Sequence, residues 1–129
     1  MSGLSRLENS ASSSASSQIG YAAGAGASVT QLTSKSTSVA INTPTGKVTT
    51  NNAALLAGAS VGFTVVNTSV LATDVVCASI GAGATADTYN VAVDAIAAGS
   101  FRISLHNKSL ATASDAVAVN YIVLKGAAS

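Results

Sequence analysis

His106 is the only histidine in the chain, so any catalysis that depends on histidine has to be built around it. With a serine and one of the aspartates Asp74, Asp87, Asp94 and Asp115, it could supply a Ser-His-Asp set for acyl transfer. The alternation of residues around His106 places it on the outer face of a predicted strand. We interpret His106 as a surface or interface residue, assign no serine as a nucleophile and predict no catalytic residue.

The sequence contains neither a convincing carboxylate pair nor a metal-binding motif. Two carboxylates could serve a glycosidase, but Asp87 lies at the start of a predicted strand and Asp94 on its polar face, so both are interpreted as solvated or turn-capping residues. The sequence has no D-x-D-x-D-G run for calcium, and one cysteine with one histidine cannot form a structural zinc site. Cys77 is predicted to be a small core residue. We therefore predict no metal site.

Two glycine-rich segments lack the features of phosphate-binding loops. Gly24-Ala25-Gly26 and Gly81-Ala82-Gly83 are not followed by Lys-Ser/Thr, and neither opens a predicted helix that would supply a dipole. We predict no cofactor and no cofactor-binding residue.

The composition indicates one domain with a covered surface. Hydrophobic residues make up 48% of the 129 residues, while charged residues make up only 9%. A free monomer usually carries about a quarter charged residues. The low charge favours a chain whose surface is partly covered by other subunits, and we expect a homo-oligomer, a dimer or a trimer.

The net charge and the N-terminal sequence restrict the partners and the cellular location that can be expected. The net charge of +1 gives no electrostatic reason to expect nucleic acid or an anionic membrane as a partner. The first ten residues lack the apolar core of a signal peptide, and we expect a soluble product made in a cytoplasm. The basic residues are scattered and form no run: Arg6, Lys35, Lys47, Arg102, Lys108 and Lys125.

The N-terminal residues differ in composition from the rest. Residues 1–18 include the tract SASSSASS, which cannot bury enough apolar area to offset the entropy lost on ordering. We predict a flexible Ser/Ala-rich arm at 1–18, either disordered or ordered on a neighbouring subunit, and a β-sandwich domain at 19–129. Tyr21 is expected to anchor the arm to that domain.

One segment occurs twice. Ala57–Asn67 reads AGASVGFTVVN and Ala98–Asn107 reads AGSFRISLHN. Each alternates with period two, so each predicts a strand with one buried face. The buried sets are Val61, Phe63 and Val65 in the first copy and Phe101, Ile103 and Leu105 in the second. Both copies continue into Asn-x-Ser, Leu-Ala-Thr and an aspartate before a valine-rich strand, which points to a repeated unit.

The remaining strands complete an all-β chain. About eight short strands at a spacing near 8 to 14 residues, without an amphipathic helix, predict an antiparallel β-sandwich of the jelly-roll kind. Pro44-Thr45-Gly46 is predicted to be a turn, and Tyr89, Val91, Val93 and Ala95 are predicted to share one face of a strand. The other predicted strands are Val29–Thr33, Thr37–Asn42, Lys47–Thr50, Asp74–Ile80 and Ala116–Leu124.

Five segments carry a resemblance to a known group. In order they are GYAAGAG, VTQLTSKST, NTPTGKVT, NNAALLAGASVGFTV and ATDVV. Together they resemble a group of short, β-rich bacteriophage virion proteins, and the match spans roughly residues 20–126. The chain departs from the group's pattern at Lys108–Ala111 and at Asp115, so a different contact is expected there.

This resemblance implies a structural protein and no enzyme. The closest analogy is to the jelly-roll decoration, or cement, proteins that clamp the outside of tailed-phage capsids. We therefore expect a virion component on the capsid exterior whose partners are the major capsid protein and copies of itself. The alternative is a tail-fibre or head-fibre module that binds a host-surface glycan. An enzyme such as a wall hydrolase is a third possibility, with no residue pattern behind it.

Overall fold

The computed structural model describes residues 19–127, which form eight strands and no helix. The predicted arm at 1–18 therefore lies outside the described residues. The strand bounds are β1 Gly26–Thr30, β2 Val39–Ala40, β3 Thr45–Thr49, β4 Ser60–Val66, β5 Val75–Ile80, β6 Tyr89–Ala97, β7 Ser100–Asn107 and β8 Ala118–Leu124.

The strands form two four-stranded sheets in a sandwich-like arrangement. Sheet A has the order β1-β3-β8-β5 and sheet B the order β2-β4-β7-β6. Inward side chains of both sheets belong to one hydrophobic cluster. Phe101 of β7 and Tyr121 of β8 meet within it, with ring centroids 5.4 Å apart. The burial of these aromatic and β-branched side chains is the main force that holds the sheets together.

The prediction of wholly antiparallel sheets is wrong. The pairs β1–β3 and β2–β4 are parallel, and the other four pairs are antiparallel. The chain passes from one sheet to the other after almost every strand. Among the described residues only β6 and β7 are consecutive strands that pair with each other, so strand spacing alone could not reveal the pairing.

The two repeated segments become β4 and β7, and the predicted alternation is confirmed. Phe63, Val65, Phe101, Ile103 and Leu105 are all buried, and Val61 packs against them. The two strands pair antiparallel with each other. Phe63 lies directly opposite Ile103, its counterpart in the other copy.

The strands that follow the two copies repeat this relationship in the other sheet. Asp74 leads into β5 and Asp115 leads towards β8, and these two strands also pair antiparallel. Counting from the two aspartates, Ser79 and Asn120 are counterparts, and they lie opposite each other. The β4–β5 and β7–β8 units are therefore related by an approximate two-fold axis that passes through both sheets.

The predicted turn at Pro44-Thr45-Gly46 is wrong, because β3 begins at Thr45. Gly46 serves close packing instead. A Cβ there would lie 2.8 Å from Ile41 Cδ1, 2.9 Å from the Ala27 carbonyl oxygen and 3.0 Å from Tyr121 Cε1. Several strand bounds also shift, since β1 ends at Thr30 and β2 contains only Val39 and Ala40.

A bulge in β6 changes the predicted face of two residues. The pairing with β7 is regular up to Asp94 and resumes at Ala97. Ala95 has a φ of 51°, in the left-handed region, and it is exposed, while Ile96 packs against the core. The prediction that Ala95 shares the face of Val91 and Val93 is therefore wrong, because the extra residue of a bulge inverts the alternation.

Candidate functional site

His106 lies on the outer face of sheet B, as predicted, and it contacts a serine. Ser60 of β4 is directly opposite His106 of β7, and Ser60 Oγ lies 2.8 Å from His106 Nδ1. The β4–β7 ladder places both side chains on the same face of the sheet. The pair is exposed to solvent.

The sequence around Ser60 carries a signal that the sequence analysis did not use. Gly58-Ala59-Ser60-Val61-Gly62 has the G-x-S-x-G spacing found around hydrolase nucleophiles. That motif requires a sharp strand-to-helix turn, which raises the serine above the sheet. Here Ser60 begins a strand and the residues after it continue that strand. The motif is present in letters, but its structural context differs.

The described residues give the Ser60–His106 pair no triad acid. No hydrogen bond from the described residues joins His106 to a carboxylate. Asp94 instead pairs with Arg102, with Nη1 to Oδ2 at 3.4 Å, and Arg102 also donates to Ser104 Oγ at 2.9 Å. The guanidinium of Arg102 lies flat over Gly62, where a Cβ would be 2.0 Å from Nη2. This outer face of sheet B is therefore a polar surface with one exposed ion pair.

The two aspartates considered for glycosidase chemistry lie apart. Asp94 is on β6 in its ion pair with Arg102. Asp87 is in the loop before β6, has a φ of 58° and lines an open pocket with Lys108. No described contact brings the two carboxylates to one site.

Asp74 and Lys125 join the start of β5 to the end of β8. Lys125 Nζ lies 2.7 Å from Asp74 Oδ2, and the amide of Leu71 donates to the same oxygen at 2.9 Å. The hydrogen bond from Lys125, followed by that from Leu71, lowers the pKa of Asp74 below its ordinary value. Asp74 is buried whereas Lys125 is half exposed. This pair fixes the edge strand β5 to its neighbour.

Asp115 and Lys35 form a second charged cluster at one end of the sandwich. Asp115 Oδ2 accepts from the Thr85 amide at 3.2 Å and from the Tyr89 hydroxyl at 3.0 Å. Hydrogen bonding from Thr85, with a smaller contribution from Tyr89, lowers the pKa of Asp115. Lys35 is buried and donates to the main-chain carbonyls of Asp115, at 2.6 Å, and Asn51. Burial lowers the pKa of Lys35, although Asp115 partly opposes this. The cluster ties three loops together.

Cys77 is exposed, so its predicted place in the core is wrong. In β5 it is Val76 that is buried, while Val75 and Cys77 face outward. Two adjacent valines made both faces apolar, and the sequence could not tell which one faces the core. Within residues 19–127 no group of three His, Cys, Asp or Glu side chains could hold a metal ion.

The tyrosines that could stack on sugars are mostly buried. Tyr89 and Tyr121 are core residues. Tyr21 is 43% exposed, and its hydroxyl donates to the Val123 carbonyl oxygen at 2.7 Å. That bond ties the segment before β1 to β8.

The outer face of sheet A is the candidate interaction surface. Val75 and Leu124 are opposite each other on β5 and β8, and they are 53% and 47% exposed. A shallow groove of about 280 Å³ crosses the same face. Apart from Lys47, the side chains that face outward from these strands are uncharged: Ser28, Thr30, Thr45, Thr49, Val75, Cys77, Ser79, Asn120, Ile122 and Leu124.

A hydroxyl-rich pocket lies at the end of the sandwich that holds Asp115. Its volume is about 300 Å³, and Thr85, Thr88, Ser109, Thr112 and Asp115 are among its lining residues. The two glycine-rich segments predicted not to bind phosphate are at the start of β1, which begins at Gly26, and after β5, at Gly81-Ala82-Gly83.

Comparison with protein-family models, with curated proteins and with solved structures finds no match to this chain. Within the part of the chain that the structure describes, no helix is long and apolar enough to cross a membrane.

Proposed function

We propose that this chain is a structural virion protein, a capsid decoration or cement protein that binds the outside of a bacteriophage head. It bridges major capsid subunits, assembles as a homo-oligomer and is made in the host cytoplasm. Neither nucleic acid nor a membrane is among its partners, and it carries out no catalysis. The resemblance of its segments to phage virion proteins motivates the proposal.

The outer face of sheet A is the single observation that supports it most. A cement protein attaches through many weak contacts, and the avidity of a many-copy shell allows each contact to be modest. A surface of threonine, serine, valine and leucine with one lysine suits such a contact, because little charge has to be desolvated. An unattached protein would leave this face open to water.

A matched set of charge substitutions tests which sheet binds the shell. Leu124→Glu and Thr49→Glu each place a carboxylate on the outer face of sheet A, and Thr64→Glu places one on the outer face of sheet B. We expect the first two variants to lose binding to capsids that lack the protein, while Thr64→Glu retains it. Equal binding by all three folded variants would contradict the assignment of the face.

The fold itself is proposed to be a variant of the jelly roll. Eight strands in two sheets of four support this, together with a chain that passes repeatedly between the sheets. The variation is at the sheet edges, where β1–β3 and β2–β4 pair in parallel, whereas a jelly roll is antiparallel. An experimental structure with β2 in an antiparallel ladder would bring the chain closer to the standard order.

The alternative is a tail-fibre or head-fibre module that binds a host-surface glycan. The pocket near Asp115 favours it, because hydroxyl and carboxylate groups hydrogen-bond to sugars. The burial of Tyr89 and Tyr121 weighs against it, since those rings cannot stack on a sugar face. Binding to a glycan array that is lost in Thr88→Val but kept in Thr64→Val would favour the glycan module.

A further inference from the structure

We propose that β5 is a strand-pairing edge by which two copies of this chain form a two-fold dimer, with their A sheets joined into one eight-stranded sheet. The proposal deepens the homo-oligomer part of the proposed function, and it concerns the edge of sheet A rather than its outer face. Four observations support it.

The internal two-fold relationship leaves one position of sheet A empty. β8 and β5 are counterparts that pair through Ser79 and Asn120. On the far side of β8 lies β3, which pairs with it antiparallel. Among the described strands none pairs with the far side of β5, which is an edge of sheet A, and β6 of sheet B packs close to β5 without pairing with it. By the approximate symmetry, a strand equivalent to β3 would pair antiparallel with the far edge of β5, where no strand of residues 19–127 pairs.

The hydrogen bonds of β8 show which groups of β5 face that edge. The Val123 amide donates towards β3, to Pro44 O at 2.7 Å, and the Ala118 carbonyl accepts from Gly81 at 2.7 Å on the β5 side. In an antiparallel ladder the bonding direction alternates along each strand. The residues of β5 that bond to β8 are therefore Val75, Cys77 and Ser79. Val76, Ala78 and Ile80 direct their N–H and C=O groups to the open edge, where they can pair with another strand.

β5 lacks the features that keep other edges apart. Edge strands are usually blunted by charge, proline, a bulge or short length. β6 has a bulge and Asp94, and β2 has only two residues. β5 has six residues, VVCASI, with no charge, no proline and a regular register. β1, the other edge of sheet A, is also uncharged. It lies beyond β3, however, and the internal two-fold relationship predicts no further strand beside it.

A second copy fits this edge because the edge is complementary to itself. A two-fold interface brings the same surface of both subunits together. The charged neighbours of β5 are Asp74 and Lys125, which neutralise each other in an ion pair at 2.7 Å, so this pair gives two copies no net charge to repel. Antiparallel pairing centred at Cys77 or Ala78 matches the open groups of one copy with those of the other. It also keeps Val75, Cys77 and Ser79 of both copies on the outer face.

Lysine substitutions with a matched control test the dimer. Cys77→Lys places a cation on β5 that lies opposite its like when the pairing is centred at Cys77, and diagonally across the two-fold axis from it when the pairing is centred at Ala78. Ser79→Lys gives the same diagonal approach of like charges in the register centred at Ala78. Thr30→Lys places the same cation on β1, the other edge of sheet A, opposite the uncharged Thr49. By sedimentation equilibrium over a dilution series, we expect the wild-type chain and Thr30→Lys to dimerise. Cys77→Lys and Ser79→Lys should remain monomeric with an unchanged circular dichroism spectrum.

Several results would overturn the proposal. One is a monomeric wild-type chain, and another is a dimer that survives both β5 substitutions. A wild-type monomer that dimerises once residues 1–18 are deleted would assign the edge to those residues instead. Failure of the dimer leaves the copy number in the virion unaffected, so the proposed function is tested separately.

Discussion

Asn67 and Asn107 make equivalent hydrogen bonds at the ends of the two repeated strands. Each is fully buried, and each accepts at Oδ1 from the amide of the serine two residues later, Ser69 at 2.8 Å and Ser109 at 3.0 Å. Each side-chain amide donates twice. Asn67 reaches the Thr43 carbonyl at 2.8 Å and the Tyr121 hydroxyl at 3.2 Å, and Asn107 reaches the carbonyls of Leu55 and Ala111 at 2.8 and 2.9 Å. Both copies of the repeat therefore share a buried asparagine whose side chain bonds neighbouring loops, called the polar clamp below, as well as a strand.

The clamps should be important for stability. Asn107→Ala removes the side-chain donor to the carbonyls of Leu55 and Ala111, which keep only their bonds from the Ala113 amide and the Ser109 hydroxyl, and it takes the acceptor from the Ser109 amide. The loss of these buried hydrogen bonds together costs about 1–3 kcal/mol. We expect the free energy of unfolding from urea titration to fall by about that amount in Asn107→Ala and in Asn67→Ala. Asn90→Ala, on the exposed side of β6, is the control and should change little. Equal loss in all three variants would contradict the clamp.

Asp74 should contribute to the acid limb of the stability curve. Its pKa is lowered in the folded state from an ordinary value of 3.8, so at acidic pH the unfolded chain binds more protons there. The stability from the Lys125 pair is present in full above that ordinary value and is lost as the pH falls through the lowered pKa. Asp74→Asn should flatten this limb in denaturation measured from pH 6 down to about pH 2.

Asp94→Asn is the matched control for the pH dependence. Asp94 also has a basic partner, Arg102, but that ion pair is exposed and weakly stabilising. We expect the acid limb of Asp94→Asn to follow that of the wild-type chain. An unchanged acid limb in Asp74→Asn would show that the Lys125 pair contributes little.

Two glycines with the same backbone conformation should differ in their tolerance of alanine. Gly83 and Gly99 have φ values of 84° and 86°, which cost an L-residue about 1–2 kcal/mol. A Cβ at Gly99 meets open space, but at Gly83 it would lie 2.3 Å from the Ala116 carbonyl oxygen. Thermal unfolding should therefore show a clearly larger loss for Gly83→Ala than for Gly99→Ala. Similar losses would mean that the loop after β5 adjusts freely.

Ser60 is expected to be unreactive despite its contact with His106. The pair is exposed on a sheet surface, and Ser60 lies within a regular strand rather than on a strained turn. A fluorophosphonate probe should label the wild-type chain no more than Ser60→Ala. Labelling that disappears in both Ser60→Ala and His106→Ala would indicate an esterase-like enzyme and contradict the proposed non-catalytic role.

Local alternation predicted the central strands correctly, and long-range contacts explain what it missed. The buried sets of β4 and β7 followed directly from period two, because each set is flanked by polar or small residues. β5 begins with two valines, so its buried face could not be chosen and Cys77 was misplaced. The role of Gly46 depends on Ala27 and Tyr121, which are distant in sequence. The Ser60–His106 contact required the β4–β7 register, although the G-x-S-x-G letters could have directed attention to Ser60.

The copy number of this chain in purified virions tests the central claim most directly. Quantitative mass spectrometry would measure it against the major capsid protein of the particle that the proposed function assigns it to. A decoration protein is predicted to be present in numbers comparable to the major capsid protein. A handful of copies per particle would place the chain at a tail or vertex and favour glycan binding, and its absence from the virion would contradict both structural roles.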